Sequence, residues 1–450
     1  MRRGAGGWRA GSGCAIPESS LSTSYPDSVQ FLYALGNEYK TIKLGLDRVE
    51  ALLERLGAPH RAGRFVHVAG TNGKGSTCAM IERALREAGV RTGLFISPHL
   101  VEPAERIQVA GAPVEREEFA WAFGQVHAAA EAMIAAGELD GHPTYFETIT
   151  AMAFLTFRER GAEMVVLETG MGGRLDATNV VDPALAVLTP VDFDHEKFLG
   201  TTIPQIAFEK AGILKPGRPA VVGMQRPEAL AVIEQRARET GSPLIHAASW
   251  RAEELHQDAY GNRFTATYRE RAIPLELPLI GAHQVENALT AVAALVELGV
   301  EEGAIRRGLA AVEWPGRLEC VRRRPDVFLD GAHNPSGAAA LARYIREFHT
   351  NRAGGGKVWI VFGAMSDKDL GVLAPLLFPL AHELIFTAPH QTRAYAAETI
   401  RDLTGESRAR VIPEPAEAVA AALAGARAED AVFITGSLYL VGEVRPQLVG

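Results

Sequence analysis

Between an apolar run, Phe65 to Ala69, and a helix-patterned run, Ser76 to Ala88, the chain places Gly70-Thr71-Asn72-Gly73-Lys74-Gly75-Ser76-Thr77. Glycines permit a tight turn whose backbone N–H groups point at phosphate oxygens. Lys74 can reach the terminal phosphates, and a helix N-terminus favours the anion. Strand, glycine-rich turn and helix in that order predict an α/β unit built around a phosphate loop, with Asn72 to Thr77 as nucleotide contacts. No Asn in the chain is followed by Lys. The Asn-Lys-x-Asp reader of a guanine base is therefore missing, and ATP is the expected nucleotide.

The same alternation continues on both sides of the loop. Val49, Leu52, Leu53 and Leu56 recur at helical spacing before a stop at Gly57 to Pro59. A strand is expected at Gly93 to Ile96, and helices near Arg116 to Ala136 and Thr144 to Glu159. Met164 to Leu167 and Ala184 to Leu188 are continuous apolar runs, which suits parallel strands covered on both faces. Further α/β units are expected to about residue 312. Trp314-Pro315-Gly316-Arg317 then interrupts the pattern, and a second α/β series follows. The expected fold class is α/β: a P-loop NTPase-like parallel-sheet ATPase domain and a smaller Rossmann-like α/β C-terminal domain. The expected boundaries are 1–24, a disordered extension or a start placed too early; 25–313, the ATP-binding domain; 314–318, a linker; and 319–450, the C-terminal domain.

Composition narrows the partners. The chain of 450 residues carries 46 basic and 54 acidic side chains, a formal charge of -8, without a basic stripe for nucleic acid. No apolar run reaches the roughly 18 to 20 residues of a membrane helix. Cys14, Cys78 and Cys320 are too few and too scattered for a disulfide framework or a zinc site, so a reducing cytoplasm is the expected compartment.

A nucleoside triphosphate needs magnesium, and its protein ligands should stand at strand ends, where open α/β folds bind ligands. Ser97, Glu168 and Asp194-His195 each follow a predicted strand. Taken singly they read as a helix cap, a solvated loop acid and a surface histidine. Together, after three strands of one sheet, they read as a metal and phosphate edge.

These segments resemble the folylpolyglutamate synthase and dihydrofolate synthase family, part of the Mur ligase superfamily. The likeness runs through Lys40 to Leu46, Gly70 to Thr77, Ser97 to Leu100 with Glu105 to Ile107, Thr144 to Glu147, Glu168 to Asn179 and Asp194-His195. It continues through Glu209 to Ile213, His283 to Asn287, Trp314 to Glu319, Asp330 to Pro335 and Asp367 to Asp369. It is also carried by Gly75, where the more distant cell-wall ligases usually have Gly-Lys-Thr.

The resemblance implies roles. Ser97 and Glu168 would bind a first magnesium and His195 a second, with Lys210 carried as a carbamate that also ligates metal. The general phosphate-loop rule would instead give magnesium to Ser76; Ser97 is preferred and Ser76 kept as a phosphate contact. Asn287, Arg317, Asp330 and His333 would meet ATP from the connector and the second domain. Arg317 would stabilise the transferring phosphoryl group in the manner of an arginine finger. Thr41, Ile42, Lys43, Thr144, Tyr145, Phe146, Glu147, Leu175, Asp176 and Ala177 would contact the pterin. The implied reaction is ATP-dependent addition of L-glutamate to dihydropteroate and to tetrahydrofolate through an acyl phosphate, with Lys74, His195, Lys210 and Arg317 as its catalytic groups. A monomer is the state the family implies. The alternatives are a polyglutamylation-only enzyme, a Mur-type peptide ligase and a non-catalytic nucleotide switch; the last would have no use for Asp330 to Pro335.

Overall fold

The structure, a computed structural model, describes residues 24–35, 45–350 and 356–449. The expected extension, but for Ser24, and the segment Thr41 to Lys43 lie outside the described residues. Ser24 belongs to the first helix, Tyr25–Ala34, as its N-cap.

Eight strands form the larger sheet: β1 (Arg64–Ala69), β2 (Thr92–Phe95), β3 (Ile107–Val109), β4 (Ala112–Pro113), β5 (Met164–Glu168), β6 (Leu185–Leu188), β7 (Ala220–Val222) and β8 (Leu244–His246). Their order is β4-β3-β2-β5-β1-β6-β7-β8. β1 lies between β5 and β6, parallel to both, with Val66 opposite Val166 on one side and Leu185 on the other. β3 and β4 pair antiparallel and close one edge.

Strand alternation divides the apolar runs between two cores. Val66, Val68 and Val166 pack with the helices Lys74–Glu87 and Ala282–Glu297. Phe65, Val165 and Leu167 face the other way, against Arg116–Ala135 and Tyr145–Glu159. Burial on both faces is why these runs are apolar without a period of two.

The expectation of α/β units as far as residue 312 fails in one stretch. β9 (Arg251–Asp258), β10 (Gly261–Tyr268) and β11 (Arg271–Leu277) form an antiparallel three-stranded meander. One face is buried through Phe264, Ala266, Ile273, Leu275 and Leu277, and the other is wet. Its apolar residues alternate with polar ones, the mark of a one-sided sheet.

After the connector come β12 (Glu319–Arg322), β13 (Asp326–Leu329), β14 (Val358–Phe362), β15 (Glu383–Phe386), β16 (Arg410–Val411) and β17 (Ala431–Thr435), in the order β12-β13-β17-β14-β15-β16. Only β12, among the described strands here, is antiparallel to its neighbour. The carboxyl ends of β1, β5 and β6 and the start of the second domain meet in one cleft.

Candidate active site

The phosphate loop leaves β1 and enters the helix Lys74–Glu87 through Gly73, its N-cap, at φ 81°. A Cβ there would stand 2.2 Å from Asn287 Oδ1, so both backbone conformation and space require glycine. Segment 190–192, which follows β6, braces the loop. Thr71 N donates to Pro190 O at 2.9 Å, and Thr71 Oγ1 both donates to Asp192 O (2.9 Å) and accepts from Asp192 N (3.0 Å). On the helix side, Gln284 Nε2 donates to Ser76 Oγ at 3.2 Å and Asn287 Nδ2 donates to Gln284 Oε1 at 3.0 Å. Thr77, the last of the expected nucleotide contacts, is fully buried and is not among the residues lining the cleft.

Glu168 ends β5 beside the loop. Its Oε2 accepts from Ser97 N at 3.2 Å, and Lys74 Nζ stands 3.9 Å from Oε1. Burial raises its pKa despite that lysine. Ser97 therefore meets Glu168 through its backbone N–H, and it lines the same cleft. His195 adopts a left-handed φ of 53°, with Nε2 3.7 Å from Asp194 Oδ2. Burial lowers its pKa, so the ring is neutral at pH 7.

Lys210 is buried in the helix Ile203–Ala211 and donates from Nζ to Gly70 O at 2.8 Å. Burial first, and then Lys74, bring its amine down to about 7. A lysine that is half neutral at pH 7 differs from an ordinary helix lysine.

The connector and second domain close the cleft. Arg317 lines it, and its charge acts on Glu168 and Asp330. Both Asp330 oxygens are already occupied: Oδ2 accepts from Leu318 N at 2.9 Å and Oδ1 from Ala332 N at 3.0 Å. Burial pushes its pKa up to about 6. Asp330 thus ties the connector to the loop that carries His333. The His333 ring accompanies Gly331 O at 2.7 Å through Nδ1, which makes Nδ1 the protonated nitrogen, and burial holds its pKa down to about 4. At the phosphate loop the domains meet through Asn72: Asn334 Nδ2 donates to Asn72 Oδ1 at 3.1 Å, and Asn72 Nδ2 donates to Ser336 Oγ. Ser336 carried no signal in the sequence, because a serine at a helix start reads as a cap. Lys368, which also lines the cleft, lies in one of the matched segments but had no assigned role.

The segments expected to hold a pterin are largely committed to their own structure. Thr144 caps the helix Tyr145–Glu159, with Glu147 N donating to Thr144 Oγ1 (3.3 Å) and Thr144 N to Glu147 Oε2 (2.7 Å). Glu147 also pairs with Arg48 at 2.9 Å. Tyr145 is buried beneath the Arg106 guanidinium, 5.2 Å from the ring centroid. Phe146 is partly exposed and packs on Gly170, where a Cβ would come within 2.5 Å of its ring. Asp176 is buried and holds its own turn: Oδ2 accepts from Met171 N at 2.8 Å, and Oδ1 accepts from Thr178 N at 3.0 Å. Ala177 is buried and Leu175 half-buried. Among the described residues of this set, Phe146 and Leu175 offer apolar surface, and the others shape it.

The cleft has a volume of about 520 Å³, within the usual range for a small-molecule site. It brings together Asn72 to Ser76, Ser97, Glu168, His195, Asn287, Arg317, Asp330 and His333.

Residues 68–295 match the Mur ligase middle domain, and residues 316–438 match the Mur ligase glutamate ligase domain. The dihydrofolate synthase/folylpolyglutamate synthase of Bacillus subtilis is 37% identical over 95% of this chain and 100% of its own. The protein of that name from Escherichia coli is 36% identical over 90% and 91%. Among solved structures, Mycobacterium tuberculosis folylpolyglutamate synthase complexed with ADP superposes with a TM-score of 0.87 at 30% identity, covering 94% of this chain and 99% of that one. E. coli FolC in complex with DHPP and ADP gives 0.83 at 34% identity, covering 95% and 98%.

Proposed function

The chain belongs to the dihydrofolate synthase/folylpolyglutamate synthase family of Mur ligases, and from that premise we propose how its cleft joins L-glutamate to dihydropteroate and to tetrahydrofolate at the expense of ATP. The observation that carries the reading is convergence. A phosphate loop with its lysine, a buried carboxylate, a histidine and an arginine from the connector line one space between two domains, and the buried Lys210 stands behind the loop on Gly70 O.

ATP would lie along Asn72 to Ser76, with Asn287, Arg317 and His333 closing over it and Asp330 holding the connector in place. The donor set fits magnesium, because Glu168 carries a buried carboxylate that Lys74 at 3.9 Å does not fully neutralise. Ser97 and Glu168 would hold one ion, and His195 with Lys210 a second. Bound there, magnesium supplies charge neutralisation at the phosphate oxygens. Burial prepares Lys210 for carbamylation: its neutral amine attacks CO2, an N–C bond forms, one proton leaves, and a cationic donor becomes an anionic acceptor.

A carboxylate is a poor electrophile in water. Lys74 and Arg317 stabilise charge as the γ-phosphoryl group passes to the substrate carboxylate, giving an acyl phosphate. The glutamate amine then attacks the acyl carbon and phosphate leaves. The bonds from Asn72 to Asn334 and Ser336 hold the second domain against the loop, which keeps water from the acyl phosphate. Phe146 and Leu175 would offer the pterin its apolar surface. The protein would act as a cytoplasmic monomer; among the described residues no helix is long and apolar enough to cross a membrane.

The test is phosphate release with ATP, magnesium and L-glutamate, with dihydropteroate in one reaction and tetrahydrofolate in another, and products identified by mass. Turnover in both is expected. Turnover with tetrahydrofolate alone would leave a polyglutamylation enzyme, and silence in both would overturn the reading.

A further inference from the structure

On the far side of the larger domain's second core, the helix Arg116–Ala135 presents His127 and Glu131 one turn apart, so both side chains leave the same face. His142, from the loop that follows, meets them there. Its Nε2 stands 2.8 Å from Glu131 Oε1, and a ligand atom from each of the three residues lies within 4.8 Å of the other two. The two imidazole rings are nearly parallel, at 19°, with centroids 5.2 Å apart.

The protein does not satisfy these rings by itself. Nδ1 of His127 and Nδ1 of His142 are both buried without a hydrogen-bond partner among the described residues. Phe31 sets its edge against both rings, at 4.6 and 5.1 Å, and Phe123 stacks on His127 at 5.4 Å. Aromatic walls exclude water and leave the nitrogens with unmet demand, where buried polar atoms are normally paired.

We propose that His127, Glu131 and His142 form a binding site for a borderline divalent transition metal of the zinc class, separate from the phosphate cleft. Two imidazoles and one carboxylate are a zinc-type set, and imidazole nitrogen selects zinc or cobalt over magnesium and calcium. Side-chain rotations would draw the three donors to the ~3.4 Å spacing that tetrahedral coordination at ~2.1 Å requires. Glu131 is more than half exposed and supplies the compensating charge, and water can take the fourth position. The metal would tie the helix Arg116–Ala135 to the loop that ends at Thr144, the cap of the helix bearing Phe146.

Cobalt titration of the untagged full-length protein tests this, after chelator treatment and with saturating magnesium and ADP present. About one equivalent of Co2+ with the intense visible bands of a tetrahedral site is expected, bleached by Zn2+ and accompanied by a higher thermal midpoint. His142→Gln and Glu131→Gln should each weaken binding at least about tenfold. Glu131 is a surface residue, so Glu131→Gln keeps the test available should His142→Gln fail to fold. Absence of the bands in folded wild-type protein, or a titration that Glu131→Gln leaves unchanged, would overturn the site.

Discussion

The indole of Trp314 lies against Gly75, so that a Cβ at position 75 would stand 2.5 Å from Trp314 Cζ2. The first turn of the phosphate-binding helix and the connector between the domains are thus in contact at a point where any side chain intrudes. Helix propensity alone favours alanine over glycine here by about 1 kcal/mol. Sterics reverse the sign, and Gly75→Ala should cost about 1–3 kcal/mol through overpacking. Chemical denaturation should show that loss, and Trp314→Phe in the same chain should recover part of it. Full independence of the two changes would mean that the contact does not matter.

Arg317 should be needed for rate more than for nucleotide binding. Arg317→Lys keeps the charge but loses the planar fork of donors, and a group acting as an arginine finger is worth about 10³-fold or more in kcat. Steady-state kinetics should show kcat falling with the KM for ATP little changed. A rise in KM alone would place Arg317 in ground-state binding.

The carbamate proposed at Lys210 predicts a joint dependence of activity on pH and CO2. Its amine titrates at about 7 instead of 10.5, so it is ammonium below that pH and nucleophilic above it. Activity should therefore fall as pH drops through about 7 and recover partly with added bicarbonate. With 13C-labelled bicarbonate, a carbamate resonance should appear and be missing in Lys210→Met. A resonance that survives the substitution would assign the carbamate elsewhere.

Asp176 should act through the turn it holds. Asp176→Ala leaves the amides of Met171 and Thr178 without their acceptor, at about 1–3 kcal/mol for each buried donor left unpaired. The thermal midpoint should drop, and dihydrofolate formation should suffer more than polyglutamylation. Equal loss of both activities would show that the residue only keeps the loop folded.

Much of this was legible in the sequence for a physical reason. Gly70 to Thr77 combines a turn, a cation and a helix start, which few arrangements other than a phosphate loop can use. Met164 to Leu167 is apolar throughout because it is buried on both faces, so β5 and the emergence of Glu168 at its end could be read directly. The meander β9-β11 was missed because a one-sided sheet mixes polar and apolar residues, and in β9 nearly every residue is at least partly exposed. The hydrogen bonds that Glu147 and Asp176 make to their own helix and turn were not legible for another reason. A carboxylate in a matched segment looks alike whether it faces ligand or caps its own chain.

The sequence by itself determined the phosphate loop, the doubly covered strands and the acid at the end of β5, since each depends on residues within a few positions of one another. Only the tertiary structure decided that Trp314 closes on Gly75, that Asn72 reaches Asn334 and Ser336, and that burial takes Lys210 down to about 7. Those properties belong to pairs far apart in the chain and to the exclusion of water around them, and neither exists until the chain has folded.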